Sequence, residues 1–210
     1  AQETPSYEVA VDELIVEEIA VEALAKALAK INTMQATFEQ TVVNEMSNTE
    51  SNEASIVDQA SGWMAWQQPD KFRWEVTSPM QQSILIDAKQ YFQYDKDLDQ
   101  MLVQPLSEEI ALLPKLLLSG NAEKIAKRFS VKRVEKLMVS NAFILTPLDG
   151  AALFGKVLLD FHDGRLKLMA ITDELGQTNT FYFIENNEIS DNNQPLFHLE
   201  PAPGTDVIYQ

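Results

Sequence analysis

The spacing of apolar residues changes several times along the chain, and each change predicts an element. Residues 14–31 place apolar side chains three or four positions apart, with Lys26 and Lys30 off that stripe, and they are rich in Ala. This pattern predicts a helix. Residues 34–43 alternate apolar and polar side chains, which predicts a first strand. The polar stretch 44–58 then predicts a long loop between strands.

Strands follow in quick succession from residue 61, separated by turn sequences at 69–70, 78–79 and 95–99. Residues 106–118 return to helical spacing, and Pro114 divides them into two short helices. A further helical turn is predicted at residues 122–128, and hairpin turns at 162–165 and 174–176. The later strands are predicted at residues 129–135, 137–146, 153–162, 165–173, 177–185 and 195–200.

An uninterrupted meander of ten or more short strands predicts an α+β fold built on one antiparallel sheet. Many of these strands are apolar on both faces. Phe181 and Phe183 oppose Tyr182 and Ile184, for example. Both faces of the sheet therefore need cover, which a strongly curved sheet with helices packed into its concave side would supply. Either both faces are tightly packed, or the helices only partly fill an apolar cavity.

Composition narrows the functional classes. The chain has 210 residues, of which 45% are apolar, so it can bury a core. No stretch of 18 apolar residues is free of charge, which argues against a membrane-spanning helix. There is no Cys, which excludes disulfides and thiolate chemistry. The net charge of −16 argues against a nucleic-acid partner, because phosphate binding needs clustered Lys and Arg.

The acidity is concentrated near the N-terminus, where residues 1–22 carry seven acids and no base. We expect these residues to form either a solvated arm or a docking arm for a basic partner, and residues 23–210 to form a single domain. The chain begins with Ala, as a mature secreted or periplasmic protein would after removal of its signal peptide. An engineered N-terminus would look the same.

Catalytic and metal-binding motifs are not recognisable in the sequence. His162 and His198 are far apart, and a metal site needs several convergent ligands. Residues 95–99 begin like a calcium loop, but Gln100 and Leu106 stand where that loop needs Gly and Glu. No nucleophile elbow, phosphate loop or dinucleotide fingerprint is present. We expect neither an enzyme nor a cofactor.

A signature between residues 61 and 74 resembles that of a known family. These residues read SGWMAWQQPDKFRW, and the family signature reads roughly G-x-ϕ-x-ϕ-x-R-P-x-x-F-x-W, where ϕ is apolar. Stretches similar to the family follow the same order on either side of it. They are MQATFEQ (34–40), SILID (83–87), YFQYD (91–95), LDQ (98–100) and FILTP (143–147). The chain therefore resembles the LolA family of periplasmic outer-membrane lipoprotein carriers from about residue 24 to residue 208.

This resemblance implies an unclosed β-barrel with a helical lid over an apolar cavity that takes the acyl chains of lipoproteins. It implies a monomer in the periplasm of a Gram-negative cell, loaded by an inner-membrane ABC transporter and unloaded by an outer-membrane lipoprotein acceptor. The acceptor is itself a lipoprotein that begins with Cys, so the absence of Cys fits the carrier and not the acceptor. Two alternatives remain: a carrier of another envelope lipid or glycolipid, and a sensor module for lipid or lipoprotein on the same fold.

Candidate cavity and lid residues follow from the aromatic strands, the Leu-rich insert and this resemblance. In the family, an Arg just before the Pro of the signature hydrogen-bonds the lid shut. Gln68 stands at that position here and can form only uncharged, weaker bonds. The candidate lipid-binding residues are Phe38, Trp66, Phe72, Trp74, Ile84, Ile86, Phe92, Tyr94, Leu113, Leu116, Leu117, Phe143 and Leu145.

Overall fold

The described part of this computed structural model contains twelve strands, two α-helices whose bounds are described, a 3₁₀ turn, and α-helical residues at positions 108, 110 and 111. The described residues are 17–31, 33–44, 55–87, 89–108, 110–111, 120–134, 140–148, 154–187 and 194–210. The helices are α1 (Glu17–Ala29) and α2 (Ala122–Ala126). The strands are β1 (Thr33–Asn44), β2 (Ser55–Gln67), β3 (Lys71–Ser78), β4 (Gln82–Asp87), β5 (Gln90–Asp95), β6 (Gln100–Pro105), β7 (Phe129–Val134), β8 (Ser140–Pro147), β9 (Lys156–His162), β10 (Arg165–Thr172), β11 (Gln177–Asn187) and β12 (Asp206–Tyr209).

All twelve strands belong to one sheet, in the order β12-β6-β5-β4-β3-β2-β1-β11-β10-β9-β8-β7. Neighbouring strands are antiparallel except β12, which runs parallel to β6. Since the order starts at β12 and ends at β7, the sheet does not close on itself. The predicted α+β class with an unclosed antiparallel sheet is confirmed.

Short polar turns connect the strands where the sequence predicts them. The Asp95 carboxylate accepts hydrogen bonds from the backbone N–H groups of Asp97 and Leu98, which shapes the turn between β5 and β6. Asp163 and Gly164 have φ angles of 51° and 74°, the left-handed pair that a two-residue hairpin turn requires. These turns fix the register of the strands, and so decide which side chains share a face.

Three sequence predictions differ from the structure. Residues 195–200 do not form a strand. They contain a 3₁₀ turn, Gln194–Phe197, whose apolar side chains pack on the sheet instead of entering its hydrogen-bonded ladder. The predicted loop 44–58 is shorter, because β2 already begins at Ser55. Residues 17–22, assigned by their charge to an acidic arm, belong to α1.

The two faces of the sheet are covered by different parts of the chain. We call the face against which α1 packs the inner face, and there the main core joins α1, α2 and strands from β1 to β11. The opposite, outer face is covered over β2–β6 by residues 194–210, through Phe197 and Leu199. Over β11 the outer face is uncovered, since Tyr182 and Ile184 are 47% and 55% exposed. The expectation that both faces are covered is therefore wrong for this strand.

Candidate functional site

A cluster of aromatic rings forms the floor of the inner face. The Phe38 and Trp74 rings are stacked with their centroids 4.2 Å apart. Phe181 meets both rings edge-on, at 5.8 Å from Phe38 and 4.8 Å from Trp74, and Phe72 lies 6.3 Å from Trp74. These four residues come from β1, β3 and β11, so the cluster spans the middle of the sheet.

A close approach of two strands beneath this cluster depends on Gly62. A Cβ atom at this position would lie 1.9 Å from the backbone carbonyl oxygen of Glu75 and 2.9 Å from the Phe38 ring. The register between β2 and β3 shifts at the same point, between Ser61 and Gly62. The Gly of the signature is therefore required for space, because any larger residue would force the strands or the ring apart.

The inner face is closed at one end of the strands and open at the other. At the end where α1 leads into β1, Phe72 and Trp66 are buried, and the Trp66 indole N–H donates to the Ile31 carbonyl oxygen at 3.3 Å. Further along β3, Trp74 and Val76 are only half-buried. The result is an apolar surface whose solvent exposure increases away from the end of α1.

The opposite side of the inner face is filled by the helices. α1 packs against β7 and α2, and α2 also packs against β7. Beneath them Phe143 and Leu145 are completely buried. The part of the inner face available to a ligand therefore lies over β3 and β4, where Ile84 is half-buried beside its cross-strand partner Trp74.

Two hydrogen-bonded polar pairs interrupt this apolar face. The Tyr91 hydroxyl donates to the Gln93 side-chain oxygen at 2.8 Å on β5, and burial raises the pKa of Tyr91. The Gln40 amide on β1 donates to the side-chain oxygen of Asn179 on β11 at 3.0 Å. Each pair keeps an amide NH₂ group that can donate to a ligand.

A charged network lies on the outer face directly behind the ring cluster. Arg73 donates to the Glu75 carboxylate from two nitrogens at 2.8 and 3.2 Å, and to the His198 carbonyl oxygen at 3.2 Å. Lys96 binds the other carboxylate oxygen at 2.6 Å. Burial raises the pKa of Glu75, but its bonds to Lys96 and Arg73 outweigh this effect and hold the pKa below its usual value. This network attaches residues 194–199 to the sheet and does not reach the inner face.

The structure brings together eight of the thirteen predicted lipid-binding residues on the inner face. Phe92 and Tyr94 are not among them: they lie on the outer face and pack against Leu199 and Val207. Leu113, Leu116 and Leu117 lie outside the described residues. The eight inner-face residues are Phe38, Trp66, Phe72, Trp74, Ile84, Ile86, Phe143 and Leu145.

The placement of Phe92 and Tyr94 in the cavity is wrong because of the hairpin register. β4 and β5 pair Ile86 with Tyr91 and Leu85 with Phe92. Cross-strand partners share a face, so Tyr91 joins Ile86 on the inner face and Phe92 joins Leu85 on the outer one. The short connection between the two strands could have given this register from the sequence.

Two inner-face residues are not among the predicted lipid-binding residues. Phe181 completes the ring cluster, and Val76 extends the half-buried apolar row beyond Trp74. Alternation along β3 and β11 already groups each of them with its neighbours on one face, but it does not show which face is the inner one. Gln40 and Asn179 carried no such signal, because polar residues break the apolar pattern.

Gln68, the candidate for the lid latch, lies in the turn between β2 and β3. None of the hydrogen bonds among the described residues involves its side chain. The lid residues it is predicted to hold fall within 112–119, outside the described residues, so the latch stays a prediction.

Two other features are absent from the described residues. Neither described helix has the length and apolar character needed to cross a membrane. Within the described ranges, no three His, Cys, Asp or Glu side chains are grouped closely enough to hold a metal ion.

Known proteins similar to this chain agree on one family. The family described as "Outer membrane lipoprotein carrier protein LolA" matches residues 29–200. An outer-membrane lipoprotein carrier protein of Hahella chejuensis is 30% identical over 189 residues, which are 90% of this chain and 87% of the relative. One from Azotobacter vinelandii is 33% identical over 196 residues, covering 92% and 90% of the two chains.

A solved structure supports the fold independently. An uncharacterized conserved protein from Thermus thermophilus superimposes with a TM-score of 0.56, covering 91% of this chain and 99% of that one. Its sequence identity is 12%, so the likeness concerns the fold alone.

Proposed function

Since the chain belongs to the LolA family, we propose that it carries lipoproteins between membranes and shields their acyl chains on the apolar inner face of its sheet. The observation that carries this proposal is the half-buried row Trp74, Val76 and Ile84, which continues the closed core without a break. A core residue is normally covered completely. Here three neighbouring apolar side chains stay partly exposed where a ligand can reach them.

The energy of such a surface suits a carrier. Each acyl methylene removed from water contributes about 0.8 kcal/mol, so an anchor of two or three chains cannot cross water unprotected. The half-buried floor offers apolar area without the close fit of a finished core. Binding of this kind is strong enough to hide the chains and still allows them to leave.

The partners of this carrier follow from its family. We propose that it works in the periplasm as a monomer, receives cargo from an inner-membrane ABC transporter and passes it to an outer-membrane lipoprotein acceptor. We also propose that Leu113, Leu116 and Leu117 form a lid over the inner face.

A matched pair of variants tests the binding surface. Ile84→Glu places a charge on the half-buried floor, whereas Ile184→Glu places the same charge on the exposed outer face of β11. We expect Ile84→Glu to weaken binding of a fluorescent triacylated lipopeptide at least tenfold, because a buried carboxylate loses its hydration next to the chains. Ile184→Glu should bind like the wild type.

Both variants must keep the circular dichroism spectrum of the wild type for the comparison to hold. Equal binding by both variants would show that the floor is only core. Absence of saturable binding by the wild type would refute the carrier function itself.

A further inference from the structure

The amide pair Gln40–Asn179 occupies an unusual place on the inner face. Gln40 is the cross-strand partner of Phe181, and Asn179 lies two residues before Phe181 on β11. The Phe181 ring meets Trp74 edge-on at 4.8 Å. Two half-buried amides therefore stand directly beside the ring cluster, in a region where apolar side chains would bury more surface.

Their position along the strands places them at the open end of the floor. Gln40 lies six residues beyond the buried Met34 on β1, a distance of about 20 Å at about 3.3 Å per residue. Over this distance Met34, Ala36 and Phe38 are buried, so the amide pair lies where the closed core ends and not within it. The ring cluster connects the pair to the half-exposed floor, because the Phe181 ring contacts the half-buried Trp74. A chain that lies on this floor with its carbonyl group beside Phe181 would bring that group to Gln40 and Asn179.

The hydrogen bond between the two amides fixes the orientation of Asn179. Its side-chain oxygen accepts from the Gln40 NH₂ group at 3.0 Å. The Asn179 NH₂ group consequently points away from Gln40, and no hydrogen bond from it to another described residue is present. This NH₂ group is not enclosed by the protein, so it is free to donate to a ligand that brings an acceptor oxygen.

We propose that Asn179, oriented by Gln40, donates a hydrogen bond to the carbonyl oxygen of an ester or amide that joins an acyl chain to its cargo. This assignment rests on the carrier function proposed above and adds to it the contact that sets how deeply the chains enter. The acyl carbonyl is common to lipoprotein anchors and to diacyl phospholipids, and the test separates these two sources.

The test compares ligands that differ only in this carbonyl. One probe is a synthetic diacylated lipopeptide with two ester-linked chains, and the other is its dialkyl ether analogue, which has no acyl carbonyl. We expect the wild type to bind the ester probe about 2- to 12-fold more tightly, the range of one net neutral hydrogen bond. Asn179→Leu should bind both probes equally.

Two further variants keep the result interpretable. Asn179→Asp retains the shape of the side chain and the acceptor for Gln40 but has no donor, so it should also lose the preference for the ester. Thr180→Val changes the neighbouring residue, which points to the outer face, and should keep the preference. Phosphatidylglycerol with ester-linked or ether-linked chains repeats the comparison for a phospholipid source.

The outcomes separate the two proposals. A wild type that binds the ester lipopeptide with a preference absent from both Asn179 variants supports the contact, and the probe that shows it identifies the source. Tight lipopeptide binding with the same ester preference in Asn179→Asp overturns the contact but not the carrier function. A wild type that binds none of the probes refutes the carrier function.

Discussion

Replacing Glu75 by Gln should destabilise the fold and weaken the attachment of residues 194–199 to the outer face. The Glu75 carboxylate bonds to Arg73 and Lys96, and Arg73 in turn donates to the carbonyl oxygen of His198. Glu75→Gln preserves the size of the side chain but removes its charge. Arg73 then lies buried without its counter-charge, and its orientation toward His198 is lost.

The expected loss follows from the burial of the pair. The side chains of Arg73 and Glu75 are 8% and 7% exposed, so the pair is a buried one, and breaking such a pair costs about 3–5 kcal/mol. The side chain of Lys96 is 36% exposed, and its bond adds about 1 kcal/mol at most. We therefore expect the free energy of unfolding to fall by about 3 kcal/mol or more at pH 7.

The pH dependence has a definite sign. The pKa of Glu75 in the folded protein lies below its ordinary value of 4.5. The charged network therefore stabilises the fold fully above pH 4.5, and this contribution is lost as the pH falls through the lower folded pKa. The difference in stability between wild type and Glu75→Gln should accordingly narrow below pH 4.5.

Urea denaturation followed by tryptophan fluorescence measures these differences, since the Trp63 ring lies 5.9 Å from the Arg73 guanidinium. Hydrogen exchange should show faster exchange of the backbone N–H of Gln210, which bonds to the Val103 carbonyl. Glu174→Gln, at an exposed turn, is the matched control. If both variants lose equal stability, or the C-terminal amides exchange as in the wild type, the network does not hold the segment.

Three further substitutions test the fold. Gly62→Ala should lower the free energy of unfolding, measured by chemical denaturation, by at least about 3 kcal/mol, because the added Cβ would overlap a backbone carbonyl of β3 and press on Phe38. A decrease of less than about 1 kcal/mol would contradict this reasoning. Trp66→Phe should cost about 2 kcal/mol because the Ile31 carbonyl loses its donor, and an unchanged denaturation midpoint would show that this bond contributes nothing. Asn121→Ala should lower stability by about 1 kcal/mol, since Asn121 caps α2, and equal stability would contradict the cap.

Local pattern predicted the meander and the presence of α1, because helical spacing, alternation and turn residues act over a few positions. It failed at residues 195–200, where Phe197 and Leu199 have the apolar spacing of a strand but pack across the outer face. The parallel pairing of β12 with β6 joins residues about a hundred positions apart and leaves no local signal.

The candidate site was predictable only in part, for a similar reason. Phe72 and Trp74 were assigned to the inner face from alternation within one strand, whereas Phe92 was misplaced because its face depends on the register of a hairpin. The Gln40–Asn179 pair depends on the pairing of β1 with β11, which are far apart in the sequence. Contacts of this kind appear only once the strand order is known.

The linear strand order from β12 to β7 has a mechanical consequence. In a closed barrel, the number of strands and their stagger determine the diameter, so the interior has one size. A sheet with two free ends carries no such constraint, and small changes in twist between neighbouring strands can alter its radius without breaking a ladder. The same chain could thereby enclose cargo of different girth, such as anchors with two chains or with three.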